Sequence, residues 1–428
     1  MTIKLTGPLQ GSTSVPGDKS ITHRAIILSS LAQGTSAIRR PLLGEDCLST
    51  IDVFRRLGVA ITVSDEQVTV TSEGFKNFKE PVQVLYTGNS GTTTRLLAGV
   101  MSGMPFRTIL AGDASIGRRP MERIIDPLTA MGVRITGSHN NSRTPLLIEP
   151  SVVSGIHYEM PVDSAQVKSA ILFAGLYAKQ PVIITERVKT RNHTETMFPV
   201  YGIDISVDDH TITLPPGAVE QLKAGDFTVP GDISSAAFLM AAALITPGSD
   251  VVLNHVGINT TRDGMIDVIK RMGGHIEVTD VTSTGEPTAT IRVRYTEHLL
   301  PITIEGDLIP RLIDELPIIA LLMTQADGTS MIKDAEELKV KETNRIDAVV
   351  EELRKLGFKL TATHDGMIIE PGRTARQDVT DSRGDHRIGM MLATASLLLD
   401  EPVTIEGFES IAVSFPDFME TMNKLGAQ

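Results

Sequence analysis

Along the chain, long apolar runs alternate with shorter stretches in which apolar and polar positions take turns. Six runs rich in Ala and Leu begin near Thr22, Thr92, Ala165, Ser235, Glu315 and His386. A helix that is apolar all round has no face to offer water, so these predict helices buried on every side. They recur at intervals of about 70–80 residues. A second series interleaves with them: Leu57-Gly58, Met131-Gly132, Tyr201-Gly202, Met272-Gly273, Leu356-Gly357 and Leu425-Gly426 each end an amphipathic stretch such as Val349–Leu356. The glycine is expected to close its helix in a left-handed conformation. Five of the six are followed by strand-like alternation, as in Val59-Ala60-Ile61-Thr62-Val63. Hairpins over Val59–Val70 and Phe358–Ile369 complete the pattern.

The pattern predicts an α/β chain of six repeated βαβαββ units. The sixth stops at Gly426-Ala427-Gln428, before its last strands, whereas strand-like Ile3–Leu5 belong to no unit of their own. The N-terminus is therefore expected to complete the last unit. This divides the chain into a discontinuous domain, residues 1–15 plus 229–428, and an inserted domain, 16–228, each of three units. Crossings are expected at Val15-Pro16-Gly17 and over Ala224–Gly231, where Gly and Pro suit linkers. Three tandem domains or a solenoid could share the period, but a solenoid has no use for polar motifs at the start of each buried helix.

A length of 428 residues, 41% of them hydrophobic, fits two cores better than one. Met1-Thr2-Ile3-Lys4-Leu5 does not read as a secretory signal, and no segment offers the roughly 20 apolar residues of a membrane helix. A cytoplasmic location with no membrane partner is expected. The net charge of −12 argues against nucleic acid, as do the absence of Trp and an aromatic content of only 4%. A single cysteine, Cys47, excludes an intrachain disulfide and a multi-cysteine zinc site, and reads as a small buried residue rather than a nucleophile.

Within this acidic chain, Lys and Arg concentrate in short motifs at the helix starts. Pro16-Gly17-Asp18-Lys19-Ser20-Ile21-Thr22-His23-Arg24 opens the first, where free N–H groups favour an anion and Lys19, Ser20 and Arg24 add donors. Gly88-Asn89-Ser90-Gly91-Thr92-Thr93-Thr94-Arg95 opens the second. It lacks the Gly-Lys-Ser/Thr ending of a P-loop, and no dinucleotide fingerprint is present. Asp113–Pro120 follows as a loop in which Arg119 suits bidentate recognition of carboxylate or phosphate. Asp163-Ser164-Ala165-Gln166 begins the third helix and Thr190-Arg191-Asn192-His193-Thr194 comes one strand later. Helix capping would account for Asp163 and Ser164, whereas Gln166 needs a partner inside an apolar helix. The second half repeats the arrangement with Asp314-Glu315, Lys339–Arg345 and Asp385-His386-Arg387. Singly, each motif is also what a capped helix or a solvated ion-paired face would show. Together they predict cations gathered in an interdomain cleft around two small polyanions, with Asp314 and Glu342 as candidates for proton transfer.

At these residues the sequence closely resembles the 5-enolpyruvylshikimate-3-phosphate synthases, from Leu9 to Phe418 with the principal motifs in order. The resemblance implies the two-domain inverse α/β barrel of enolpyruvyl transferases. It implies that shikimate 3-phosphate is bound by Lys19, Ser20, Arg24, Ser164, Gln166, Arg191, Asp314 and Lys341. Phosphoenolpyruvate would be held by Lys19, Gly91, Arg119, Gln166, Arg345 and Arg387. By the same resemblance Asp314 takes the proton of the attacking 5-hydroxyl, Glu342 with Lys19 handles the proton at the methylene carbon, and His386 hydrogen-bonds within the site. No metal or organic cofactor is implied, and a monomer is expected.

Four positions depart from the family's best-known branch: Ala165 for serine, His193 for tyrosine, Glu337 for asparagine and Val413 for lysine. They resemble a divergent bacterial subgroup that includes glyphosate-tolerant enzymes. The nearest alternative is UDP-N-acetylglucosamine enolpyruvyl transferase, which usually carries a reactive cysteine in the loop corresponding to Asp113–Pro120; Cys47 lies outside it. A catalytically silent anion-binding protein is the alternative of another class, and it would not need both Asp314 and Glu342.

Overall fold

The computed structural model describes residues 1–427 apart from 65, 283–284 and 375–378. The tip residue of the Val59–Val70 hairpin and the final Gln428 thus lie outside the described residues. Two compact units emerge, Gly17–Val229 and Met1–Pro16 with Pro230–Gln428. Each has its own apolar core.

Both units follow one rule of assembly. Among the described residues there are five sheets of four strands and one of three. In the sheet around Thr108–Ala111, Leu85–Tyr86 runs parallel to that strand, Arg143–Glu149 pairs antiparallel on its other side, and Arg134–Gly137 closes the edge. A parallel neighbour requires a crossover connection, and the helix Gly91–Met101 supplies it. The same order recurs in the other four-stranded sheets. In the three-stranded one, Thr2–Ile3 pairs antiparallel with Val403–Glu406, so the N-terminus completes the last unit's sheet.

The crossover helices form the inside of each unit. Ile233–Ile245 and Leu316–Met323 are buried along their whole length, and Gly91–Met101 is buried except at Thr92. The second helix of each unit is amphipathic and ends on the glycine series. Gly58, Gly132, Gly202, Gly273, Gly357 and Gly426 have φ between +73° and +101°. In the first unit the N–H of Val59 reaches back to the carbonyl of Phe54, which satisfies one of the carbonyls a helix end leaves open.

One feature departs from contiguous units. Gln10–Ser14, which precedes the first inner helix, pairs with Asp250–Asn254, whereas the strand beside Ile38–Arg39 is Phe227–Thr228. The two strands that should open the first and fourth units are exchanged. Ala224–Gly231 is thus more than a linker: the Asp226 carboxylate accepts from Ala37 N–H and Arg39, and Val229 N–H donates to the Arg39 carbonyl. Each crossing segment is hydrogen-bonded into a sheet of the unit it leaves.

Candidate active site

In the unit Gly17–Val229, the motifs at the inner-helix starts become side-chain clusters. Asp18 caps the helix Lys19–Leu31 through the N–H of Ile21. Lys19 in its first turn pairs with Asp46 at 3.2 Å, and Ser20 beside it is half-buried. Arg24, one turn deeper, is buried: Nε donates to Thr194 Oγ1 at 2.8 Å, Nη2 to Ser169 Oγ at 2.6 Å and Nη1 to the Ser20 carbonyl at 2.9 Å. Below Lys19, buried His23 bonds Thr50 Oγ1, which continues through Thr93 to Ser90, the cap of the second helix. Burial, then the charges of Lys19 and Arg24, hold the His23 imidazole well below its ordinary titration range. His23 is therefore neutral at pH 7, and the local positive charge belongs to Lys19 and Arg24.

Gly91 opens the second helix with no side chain, and the space beside it is taken by arginine. A β-carbon there would lie 2.8 Å from Arg119 Nη1 and 3.7 Å from Arg95 Nη1. Arg119 is not on a loop throughout: Asp113 accepts from the N–H groups of Ser115 and Ile116 and nucleates a short helix, Ala114–Arg118. Arg119 terminates it in the extended conformation required before Pro120. Gln166 finds the partners its buried helix demands: Oε1 accepts from Arg95, and Nε2 donates to Thr92 Oγ1 at 3.0 Å. Arg95 also donates to the Pro120 carbonyl, tying Gln166 to the Arg119 segment. Ser164 stands at the N-cap of the third helix, yet its side chain makes no capping hydrogen bond, so capping does not explain that serine. Arg191 lies half-buried after Thr190.

In the other unit one guanidinium organises the carboxylates. Arg345 is fully buried and donates from Nε to Asp385 at 2.8 Å, from Nη2 to Glu342 at 2.6 Å and from Nη1 to Asp314 at 3.2 Å. Burial alone would lower its proton affinity, but Asp385, Glu342 and Asp314 together raise it, so the charge is secure. Arg387 lies 3.9 Å from Asp314 and 4.0 Å from Glu315. Its helix, His386–Ala395, is capped by Asp385, with His386 buried as its first residue. Lys341 precedes Glu342, half-buried at the end of the short helix Glu336–Val340.

Three residues not assigned a role from the sequence each hold a candidate site residue: Arg95 holds Gln166, Asp46 holds Lys19 and Asp385 holds Arg345. Arg95 and Asp385 stand within the helix-start motifs, and for Arg95 the signal is a charge inside an otherwise apolar helix. The four divergent positions are also placed: Ala165 and His193 begin helices, Glu337 is half-buried, and Val413 is a buried apolar side chain. Cys47 is buried, with Sγ 3.9 Å from the Lys19 carbonyl. Among the described residues, no group of three or more His, Cys, Asp or Glu is arranged to hold a metal, and no helix is long and apolar enough to cross a membrane.

The fold is that of the enolpyruvyl transferases. It superposes with a TM-score of 0.81 on the enolpyruvyl transferase NikO from Streptomyces tendae, over 100% of this chain and 97% of that one, at only 17% identity. With EPSP synthase from Acinetobacter baumannii the TM-score is 0.88 and the identity 40%, over 99% and 98% of the two chains. The 3-phosphoshikimate 1-carboxyvinyltransferase of Staphylococcus aureus strain Newman is 58% identical over 423 residues, 99% of this chain and 98% of the relative. The sequence model for EPSP synthase (3-phosphoshikimate 1-carboxyvinyltransferase) matches residues 3–422, and the chain belongs to that family.

Proposed function

We propose that this chain transfers the enolpyruvyl group of phosphoenolpyruvate to the 5-hydroxyl of shikimate 3-phosphate, releasing phosphate, as a step of aromatic amino acid biosynthesis. The observation that carries the chemistry is Arg345 holding Asp314 and Glu342 on one buried guanidinium beside Arg387. Addition to an enol phosphate needs a base for the attacking hydroxyl and an acid for the methylene carbon; Asp314 is fixed to serve as the base, and Glu342 together with the Lys19 ammonium as the proton donor.

In this reading Asp314 takes the proton of the 5-hydroxyl as its oxygen bonds to C2 of phosphoenolpyruvate, and Glu342 with Lys19 protonates C3 to give a tetrahedral intermediate. The same pair, Glu342 with Lys19, then takes a proton back from C3, restoring the double bond as the C2–O bond to phosphate breaks and phosphate leaves. Lys19, Ser20, Arg24, Ser164, Gln166, Arg191, Asp314 and Lys341 bind shikimate 3-phosphate. Lys19, Gly91, Arg119, Gln166, Arg345 and Arg387 receive phosphoenolpyruvate. Arg345 shares any substrate contact with the carboxylates it already holds, so its larger part is to position them. The monomeric, cytoplasmic state expected from the sequence belongs to the same proposal.

Transfer to UDP-N-acetylglucosamine is not favoured, because Asp113–Pro120 contains no cysteine and Cys47 is buried. Phosphate release on mixing the protein with phosphoenolpyruvate, with and without shikimate 3-phosphate, tests the reading. Release that depends on shikimate 3-phosphate is expected, and its absence would refute it.

A further inference from the structure

The third inner helix, Ala165–Gly175, carries a lysine with no exposed surface. Lys168 Nζ lies 3.0 Å from Glu186 Oε1 and 2.6 Å from Glu195 Oε1, both carboxylates buried, and it donates to the Thr190 carbonyl at 3.3 Å. Burying an ammonium with two carboxylates is costly unless the geometry is well satisfied, so the cluster's partners are what matter. Here it fixes one segment of backbone. Glu186 accepts from Thr190 N–H at 3.1 Å and from Thr190 Oγ1 at 2.5 Å, closing the turn that leads into Arg191. Glu195 lies in the first turn of the helix His193–Val200.

The neighbouring residue on the inner helix holds the same segment by another route. Ser169 Oγ lies 2.8 Å from Thr194 Oγ1, and both hydroxyls accept from Arg24. Residues 186–195 are thus clamped between Lys168 and Ser169, and the clamp sets both the turn that presents Arg191 and the hydroxyl that orients Arg24.

We infer that Lys168 is a positioning residue for shikimate 3-phosphate: through Glu186, Thr190 and Glu195 it holds Arg191 and Arg24 in register for that ligand, without touching it. The inference rests on the proposed function, since it assumes that Arg24 and Arg191 bind that substrate. Phosphoenolpyruvate is assigned to Lys19, Gly91, Arg119, Gln166, Arg345 and Arg387, whereas the clamp acts on Arg24 and residues 186–195, so the two substrates should respond differently.

The test is steady-state kinetics of the full chain with each substrate varied in turn, on the wild type, Lys168→Met and Thr190→Val. The last removes only the hydroxyl given to Glu186 and keeps the shape of the side chain, so it carries the test even if Lys168→Met does not fold. Loss of a charge-assisted contact predicts a rise of about tenfold or more in KM for shikimate 3-phosphate in Lys168→Met, and a smaller rise in Thr190→Val. The KM for phosphoenolpyruvate should stay within about twofold, as that site keeps its bonds. Equal rises in both KM values, or a lower unfolding temperature with both unchanged, would overturn the inference. Wild-type protein without shikimate 3-phosphate-dependent turnover would instead refute the proposed function, so the two failures are distinguishable.

Discussion

A β-carbon on Gly91 would stand 2.8 Å from Nη1 of Arg119, closer than two such atoms can approach. The atom in the way is the far end of a long side chain, which can move aside. Gly91→Ala is therefore expected to fold with near-normal stability while displacing the guanidinium assigned to phosphoenolpyruvate. Its KM for phosphoenolpyruvate should rise by about tenfold or more, the cost of one weakened charge-assisted contact, with little change for shikimate 3-phosphate. Steady-state kinetics with each substrate varied would check it, and an unchanged phosphoenolpyruvate KM would contradict it.

Gly99 makes the opposite case in the same helix. A β-carbon there would lie 2.1 Å from the Ala170 carbonyl oxygen, part of the backbone of the facing helix. Nothing can rotate away, so Gly99→Ala must separate two buried helices. A loss of about 1–3 kcal/mol is expected, the usual cost of overpacking, read in denaturant unfolding. A variant as stable as wild type would show that the helices are not so closely packed.

Binding and chemistry should separate between the units. Arg119→Ala is expected to weaken phosphoenolpyruvate binding by about 1.5–3 kcal/mol. Asp314→Asn keeps the shape but cannot accept the hydroxyl proton, so it should lower kcat by about two orders of magnitude or more. Near-normal turnover in Asp314→Asn would remove it as the base.

His23 gives a pH-dependent prediction. Its folded titration lies below the ordinary 6.5, chiefly through burial, so below that pH the unfolded chain binds a proton that the native protein refuses. Stability from this group is complete above the unfolded value and falls with acidification, by up to about 1.4 kcal/mol per pH unit. His23→Asn should lose less stability than wild type between neutral pH and the acid side. Unfolding curves that keep a constant separation across that range would contradict it.

What the sequence disclosed, and what it hid, follows from chemistry. The glycine series was legible because a left-handed helix cap demands one residue type, and all six glycines adopt it. The buried helices were legible because an apolar run has one place to go. Arg345 reads as one more cation in a basic motif; its neighbours Asp314 and Asp385 lie 31 and 40 residues away, and nothing in their order announces a shared guanidinium. Lys168 was hidden for the same reason. The exchanged strand Phe227–Thr228 is two residues long, too short to show a period, and its Gly- and Pro-flanked setting reads as linker.

The most direct measurement follows the phosphorus of both substrates by NMR as the protein acts on phosphoenolpyruvate with shikimate 3-phosphate or with UDP-N-acetylglucosamine. With shikimate 3-phosphate, the phosphoenolpyruvate signal should give way to inorganic phosphate while the acceptor keeps its own phosphate in a shifted resonance; with the sugar nucleotide nothing should change. Consumption of phosphoenolpyruvate only with UDP-N-acetylglucosamine, or with neither acceptor, would contradict enolpyruvyl transfer to shikimate 3-phosphate.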